Sequence, residues 1–390
     1  MTRFIATRIW LLFPLLISCA SGESPAPSPV VELDTQTVIE LADQYLHKEP
    51  ITITAFVAER SAGGKHDYYS EGSYWWPDPE NPDGPYVRKD GQRNPANFKA
   101  HKKAMNEMAE WVSTLTAAYL LTEDKKYALH AIRHLQAWFA EPATRMNPSL
   151  LYAQAIKGIS TGRGIGIIDT VCLIDVALSI CHLQAAGFLE GAAGEAVQQW
   201  FSAYGDWLTT HPYGVAERDH GNNHSSWWGA QLAAYARVAA RPDLLAASQE
   251  VFKQQLAVQM KEDGRFPKEL ERTKPFHYTI YNLNAWAIFC QLASTPEENL
   301  WNYQAQPGSL ATAVNFVLRY YKQPSAWPYA TDLEPAIMLH QNDYLYFAGK
   351  ALSREDILAL WRELRPKKQD HHADLVLWEN LKFPSLSLRE

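Results

Sequence analysis

The chain has 390 residues, with 36 Lys and Arg against 43 Asp and Glu and a formal net charge of −7 at pH 7. Its composition, 47% hydrophobic and 20% charged, excludes a disordered chain, and the acidic balance argues against a nucleic-acid binder that works by bulk electrostatics. The 14 Trp, 19 Tyr and 14 Phe favour a globular body with a large aromatic content, as is typical of proteins that handle sugars.

The N-terminal segment is predicted to be an export signal. A basic start precedes the apolar run 9–17, which is too short to span a bilayer as a mature helix. The residues before Cys19 are similar to a bacterial lipobox, in which this cysteine becomes the lipidated first residue, and the alternative is an ordinary signal peptide with an incidental cysteine. We therefore expect a lipoprotein signal peptide at 1–18, a flexible tether at 19–32 and one domain at 33–390, located in the periplasm or anchored to the outer membrane.

Beyond the tether, apolar residues recur at helical spacing through most of the chain. The predicted helices cover 34–47, 96–121, 124–138, 167–186, 193–209, 223–239, 243–260, 278–293, 310–322, 334–348 and 354–365. Strand-like alternation is confined to 51–54. Helices joined by short turns, without a repeat of fixed period, predict an all-α fold of stacked antiparallel hairpins, and closure into an α/α toroid would bury both ends of the array.

The segment 72–86 is an exception to the helical pattern. It combines Tyr74, Trp75, Trp76 and Tyr86 with four prolines, so we expect neither a helix nor a paired strand there. The rings either anchor a long loop to the core or form an aromatic wall over a cleft, where flat apolar rings can stack on sugars.

The first candidate site motif lies at the start of the predicted helix 223–239. Asn222 alone could be an N-cap, but Asn223 and His224 beside it offer an amide and an imidazole that can donate hydrogen bonds to a carboxylate. A zinc site formed by His220 and His224 is disfavoured, because Gly221 interrupts the helix between them and the glutamate of an HExxH motif is missing.

The second candidate motif pairs Arg272 with Tyr278. Pro275 breaks any helix between the two residues, so both side chains can point into one cleft. Tyrosine has a reference pKa of about 10, and a cation at about 4 Å is worth up to about 4 kcal/mol, or about three pKa units. We therefore expect Arg272 to lower the pKa of Tyr278 enough for it to act as a base. A surface arginine and a packed tyrosine are the alternative.

Four motifs in order, at 72–79, 162–169, 222–224 and 263–278, resemble the bacterial alginate lyase family. The resemblance implies a uronate-specific polysaccharide lyase with an incomplete α/α toroid, which cleaves by β-elimination. It further implies that Asn223 and His224 neutralise the uronate carboxylate, that Tyr278 is both base and acid, and that Arg272 is its partner. Related lyases often place the arginine seven residues before the tyrosine, whereas the gap here is six, which indicates a different branch.

Other residues are predicted to contact the substrate. Arg163, in a glycine-rich turn, can clamp the carboxylate of a neighbouring sugar, and Gln154 can line the same groove. Glu217 either orients His224 or is a surface carboxylate. The remaining predicted contacts are Asn222, Lys268, His277, Tyr74, Trp75 and Trp76.

The expected substrate is an anionic 1,4-linked polyuronate, either mannuronate-rich alginate or glucuronan, cleaved by a monomer without a metal or organic cofactor. Tyr278 alone can act as both base and acid where the C5 proton and O4 lie on one sugar face, as in mannuronate. Where they lie on opposite faces, His224 is the candidate base and Tyr278 the acid. Because the chain is acidic overall, attraction of a polyanion has to come from local cations such as Arg163 and Arg272, so the cleft is predicted to be positive.

Two other functions fit the sequence less well. A glycoside hydrolase would need two catalytic carboxylates, for which Asp219, Asp263, Glu269 and Glu271 are candidates. A noncatalytic lipoprotein would capture oligosaccharides without turnover. A lyase is distinguished from both by its 4,5-unsaturated product.

Overall fold

The structure is a computed structural model that describes residues 35–306, 308–329, 332, 342–364 and 372–379. The predicted signal peptide, Cys19 and the tether lie outside the described residues, as do residues 334–341 of the predicted helix 334–348.

The described chain is mainly helical, and most helix bounds follow the predicted ones, whereas the short helices at 212–218, 267–270 and 372–379 were not predicted. The α-helices are α1 (Thr35–Tyr45), α2 (Ala100–Thr122), α3 (Lys125–Leu135), α4 (Leu173–Ala185), α5 (Gly191–Thr210), α6 (Pro212–Arg218), α7 (Asn223–Val238), α8 (Pro242–Gln259), α9 (Pro267–Leu270), α10 (Pro275–Ala293), α11 (Leu310–Lys322), α12 (Asp343–Ala351), α13 (Glu355–Leu364) and α14 (His372–Glu379). The predicted helix 167–186 is divided, because Gly164–Thr170 forms a 3₁₀ helix that precedes α4.

Two short strand pairs accompany the helices. Strand β1 (Tyr69–Glu71) pairs in parallel with β4 (Tyr152–Ala155), and β2 (Trp75–Trp76) pairs antiparallel with β3 (Val87–Arg88). The expectation that the tryptophan segment would not form a paired strand was therefore wrong. The four prolines all lie in the loop between β2 and β3, so none removes an N–H group from a paired residue.

The strand-like pattern at 51–54 was also misleading. Ile53–Ala55 forms a 3₁₀ turn, and the Thr52 side chain accepts a hydrogen bond from the backbone N–H of Thr54 at 3.3 Å. A threonine hydroxyl that binds the backbone two residues ahead favours a turn over a strand.

Helix α7 lies at the centre of the helical array. It packs against α4, α5, α6, α8 and α10, and nearly all of its residues are buried, as are most of those of α10. A helix that is buried on nearly every side belongs to the interior of a fold. Helices adjacent in sequence, such as α2 with α3 and α7 with α8, pack against each other. The predicted all-α toroid of helical hairpins is thus confirmed.

The glycine-rich segment 162–166 shapes the approach of β4 to the 3₁₀ helix. A Cβ atom at Gly162 would overlap the backbone carbonyl of Leu151, and one at Gly166 would overlap Ala153. Glycine at these two positions lets the turn pack against β4 and fixes Arg163 between them.

No single helix in the described ranges has both the length and the apolar character of a membrane span. The segments Gly164–Thr170 and Leu173–Ala185 meet that test only as a pair bent by 50°.

Candidate active site

A cavity of about 550 Å³ opens where the N-terminal ends of α7 and α10 meet the β2–β3 hairpin and β4. Its lining is strongly basic. Among the described residues it contains no Asp or Glu, and its lysine and arginine side chains are Arg88, Arg93, Lys102, Arg163 and Arg272. A basic cavity in an acidic chain agrees with the predicted positive cleft.

Ten of the residues predicted from the sequence meet in this cavity. They come from segments that are far apart in the chain. The fold brings the β2–β3 hairpin, the region of β4 and the N-terminal ends of α7 and α10 together at this point. The ten residues are Tyr74, Trp75, Gln154, Arg163, Asn222, Asn223, His224, Arg272, His277 and Tyr278.

Tyr278 and Arg272 are in direct contact, as Pro275 between them suggested. The Arg272 Nη2 group donates a hydrogen bond to the Tyr278 hydroxyl at 2.8 Å, and its guanidinium carbon lies 3.8 Å from the centre of the tyrosine ring. The hydroxyl of Tyr74 lies 3.2 Å from that of Tyr278. The hairpin therefore brings a second tyrosine to the candidate catalytic one.

The pKa of Tyr278 differs from the expected value. Burial and the hydrogen bond with Tyr74 raise this pKa above the ordinary value for tyrosine, and Arg272, which lowers it, does not offset them. The predicted direction was wrong because the loss of solvent around the hydroxyl outweighs the neighbouring cation. Tyr278 is thus a neutral phenol at neutral pH in the ligand-free protein.

His224 is held by a buried carboxylate. Its Nδ1 atom lies 2.6 Å from Oε1 of Glu217, whose side chain is 1% exposed. Burial lowers the pKa of His224, but Glu217 more than offsets this, so the pKa is raised. Of the two alternatives for Glu217, orientation of His224 agrees with the structure. Glu217 lies behind the histidine and does not line the cavity.

Asn222 and Asn223 have different positions at the start of α7. Asn222 is the N-cap, and its Oδ1 accepts a hydrogen bond from the backbone N–H of His224 at 3.1 Å. Asn223 donates its backbone N–H and its side-chain amide to Glu269, a fully buried residue of α9.

Arg163 is stacked and oriented but has no carboxylate partner among the described residues. Its Nε and Nη2 groups donate to the backbone oxygen and to Oε1 of Gln154 at 2.8 and 3.1 Å, and its guanidinium lies 5.8 Å from the centre of the Trp75 ring. Burial lowers the pKa of this guanidinium to about 10. A half-buried cation that forms no ion pair with a described carboxylate, at the wall of a cavity, is suited to receive an anionic ligand.

Three of the predicted substrate-contacting residues lie outside the cavity lining. Besides Glu217, these are Trp76, whose Nε1 donates to the backbone oxygen of Gln92 at 2.9 Å, and Lys268, whose Nζ donates to that of His220 at 2.8 Å. Both side chains support the wall from outside, so direct contact with substrate does not follow from this geometry.

Several cationic residues of the lining were not predicted from the sequence. Lys102, on α2, donates from Nζ to the buried Asp169 at 2.6 Å, while Arg88 and Arg93 belong to the hairpin region. Lys102 is part of an ordinary amphipathic helix, and no local pattern marks it. For Arg88 and Arg93, the one available signal was that they closely follow the tryptophan motif in the sequence.

His220 lines the same cavity beside His224, with 4.9 Å between the ring centres. Burial and the charge of His224 lower the pKa of His220. Within the described part of the chain, no group of three or more His, Cys, Asp or Glu residues could hold a metal ion.

Comparison with known proteins gives consistent results. The sequence model of a protein family described as alginate lyase matches residues 52–327 of this chain. A crystal structure of an alginate lyase from Bacteroides ovatus is 32% identical, with a TM-score of 0.80, and the match covers 91% of this chain and 95% of that one.

More distant structures share the fold. Alginate lyase A1-III from Sphingomonas species A1 is 16% identical, with a TM-score of 0.52 and coverage of 84% of this chain and 92% of that chain. A histidine-to-alanine variant of alginate lyase A1-III complexed with a tetrasaccharide is 15% identical, with a TM-score of 0.55 and coverage of 90% and 95%. No curated protein sequence matches the chain.

Proposed function

The chain belongs to the alginate lyase family and is therefore a polysaccharide lyase, and from this premise we propose that it cleaves mannuronate-rich alginate by β-elimination at the cavity of Tyr278. The observation that carries this proposal is the meeting of a Tyr278–Arg272 pair with His224 and Asn223 at one basic cavity. Glucuronan is the second candidate substrate.

The first requirement of β-elimination is to acidify the C5 proton of the uronate. The adjacent carboxylate is already negative, so charge that develops there has to be stabilised by hydrogen-bond donors. With Nδ1 bound to Glu217, the Nε2 atom of His224 is the nitrogen left for the cavity, and the raised pKa favours the protonated, donating form. We assign His224 and Asn223 to the carboxylate.

The second requirement is proton transfer at C5 and O4. Tyr278 takes the C5 proton as a phenolate and returns it to the departing O4, while electrons of the C5–H bond form the C4–C5 double bond and the C4–O4 bond breaks. Because its pKa is raised, the phenolate is a minor form at neutral pH, and Arg272 is the cation that stabilises it. The rate is therefore expected to rise with pH.

The same residues favour one sugar stereochemistry. Elimination with the C5 proton and O4 on opposite faces would need a second base, for which His224 was the candidate. Its ion pair with Glu217 raises its pKa and makes it a poor base near neutrality. A single tyrosine acting on one face therefore supports a preference for mannuronate.

A polyanionic substrate also needs binding sites for neighbouring carboxylates. Arg163, fixed by Gln154 and stacked on Trp75, is the best candidate for the adjacent sugar. The complex of an alginate lyase A1-III variant with a tetrasaccharide supports an oligosaccharide ligand for this chain.

The glycoside hydrolase alternative needs a pair of carboxylates, and the described residues that line the cavity include none. Asp219 is exposed and paired with Arg218, Glu269 is buried beneath Asn223, and none of the four candidate acids lines the cavity. The contact between Arg272 and Tyr278 argues against a protein that only captures oligosaccharides, since binding alone does not need a tyrosine held by a cation.

The test is to incubate the protein with polymannuronate, polyguluronate and glucuronan and to follow the ultraviolet absorbance of 4,5-unsaturated ends. We expect absorbance to increase fastest with polymannuronate. Reducing ends without unsaturated ends would indicate a hydrolase, and binding without either product would indicate a capture protein.

We also propose that the protein is exported as a lipoprotein. The support is the basic start, the apolar run 9–17 and the lipobox-like residues before Cys19.

A further inference from the structure

Glu269 is a buried acid that the proposed reaction does not use directly. It lies in α9 with no exposed surface, at the N-terminal end of α7. The backbone N–H of Asn223 donates to its Oε1 at 2.7 Å, and the Nδ2 atom of Asn223 lies 2.9 Å from both carboxylate oxygens. One carboxylate thus holds both the first residue of α7 and its side chain.

These contacts determine which way the Asn223 amide faces. The reversed amide would place Oδ1 against two carboxylate oxygens, and three acceptors without a proton between them repel one another. The two N–H bonds of a primary amide diverge widely, whereas the two oxygens of one carboxylate lie close together. One N–H group therefore points between the oxygens of Glu269, and the second points away from them.

We propose that Glu269 is a positioning residue of the lyase reaction, which fixes the Asn223 amide so that its second N–H group donates to the substrate carboxylate. This inference rests on the proposed function, because it needs a uronate carboxylate at the cavity that Asn223 lines. Glu269 itself does not touch the substrate in this scheme.

The electrostatic cost of Glu269 supports a specific role. A buried carboxylate beside an anionic substrate is unfavourable unless hydrogen bonds and cations compensate for it. Burial raises the pKa of Glu269, whereas the hydrogen bonds from Asn223 and the nearby Arg272 and His224 oppose that rise. A neutral residue that only filled space would avoid this cost.

The test is a double-mutant cycle with Glu269→Gln and Asn223→Ala. Glutamine keeps the volume, but its amide can donate to Asn223, so the asparagine orientation is no longer fixed. We expect each single variant to lower kcat/KM on the order of 10- to 100-fold, and the double variant to match Asn223→Ala within about twofold. Glu262→Gln is the matched control, since Glu262 is exposed and outside the cavity, and it should keep wild-type activity.

Two outcomes of the cycle would overturn the proposal. One is a Glu269→Gln protein within about twofold of wild type, and the other is a double variant whose losses multiply, which would mean that Glu269 acts independently of Asn223. If the wild type releases no unsaturated product from any polyuronate, the proposed function itself is wrong. That result does not depend on the Glu269 and Asn223 variants, so the two failures can be told apart.

A spectroscopic measurement on the wild type covers the case in which Glu269→Gln does not fold. The side-chain N–H pair of Asn223 is identified by its loss in Asn223→Ala. We expect one proton of this pair to resonate well downfield of its partner, with a separation larger than that of exposed asparagines, since only one is bound to a carboxylate. A pair with the ordinary separation would contradict the proposed orientation, whatever the activity.

Discussion

The Nδ1 atom of His224 lies 2.6 Å from the buried Oε1 atom of Glu217, so the charge state of the histidine depends on a carboxylate that the substrate cannot reach. A charge-assisted hydrogen bond of this kind fixes both the ring orientation and the proton on Nδ1. In the proposed mechanism it leaves Nε2–H as the donor to the uronate carboxylate.

Glu217→Gln is expected to lower kcat/KM about 10- to 100-fold while the protein stays folded, because the amide keeps the hydrogen bond but loses the charge. The raised pKa of His224 should fall, so its proton is lost at a lower pH and the increase of the rate with pH ends at a lower pH than in the wild type. The profile and an NMR titration of His224 measure this. Asp219→Asn, at an exposed position nearby, is the control. An increase that ends at the same pH in both proteins would assign Glu217 a packing role only.

Tyr278→Phe is expected to reduce the release of unsaturated ends at least about 10³-fold with little change in thermal stability, since it removes only a hydroxyl. In the wild type, the rate should increase with pH above neutral until His224 loses its proton, because burial and Tyr74 raise the pKa of Tyr278 and more phenolate forms as the pH rises. Product assays across pH check both statements. Near-native product release by a folded Tyr278→Phe protein would exclude the assigned role.

Arg163→Lys is expected to raise KM for polymannuronate about tenfold with a smaller effect on kcat, because lysine keeps the charge but loses the planar contacts with Gln154 and a carboxylate. Steady-state kinetics on the polymer and on short oligomers separate the two constants. Arg145→Lys, at an exposed site outside the cavity, serves as the control. A change confined to kcat would place Arg163 in the chemical step instead.

His134 is expected to limit stability in acid. It is fully buried on α3, and burial together with the neighbouring His130 lowers its pKa from 6.5 to about 4. The stability it contributes as a neutral ring is fully present above the unfolded-state pKa and is lost as the pH falls from about 6.5 towards 4. The loss amounts to at most about 3 kcal/mol.

Urea unfolding at several pH values tests this expectation. A His134→Phe protein should lose less stability over that range than the wild type, whereas His47→Gln, at an exposed position, should follow the wild type. Parallel pH dependences for wild type and His134→Phe would show that other groups cause the acid instability.

Cys19→Ser is expected to move the protein from the membrane fraction to the soluble fraction of expressing cells, since a hydroxyl cannot take the lipid through a thioether. Fractionation of cells and labelling with a fatty-acid probe measure it, with Cys290→Ser, a buried core position, as the control for loss of a thiol. Equal membrane retention of wild type and Cys19→Ser would favour an ordinary signal peptide.

Local sequence patterns predicted the helices well because apolar periodicity and caps act over a few residues. The bounds of α8 and α11, the N-cap at Asn222 and the break at Gly221 all depend on neighbours in sequence. The strand at Trp75–Trp76 was missed because pairing with Val87–Arg88 depends on the fold of the intervening loop.

The sequence by itself determined the family, the helical fold and most residues of the cavity, since these follow from motifs and from periodic burial. Only the tertiary structure decided which side chains of the cavity contact each other and how burial shifts their pKa values. Tyr74 meets Tyr278 across 204 positions, and Glu269 meets Asn223 across 46. Burial, which depends on the packing of the whole chain, raises the pKa of Tyr278 even though its cationic neighbour was correctly predicted.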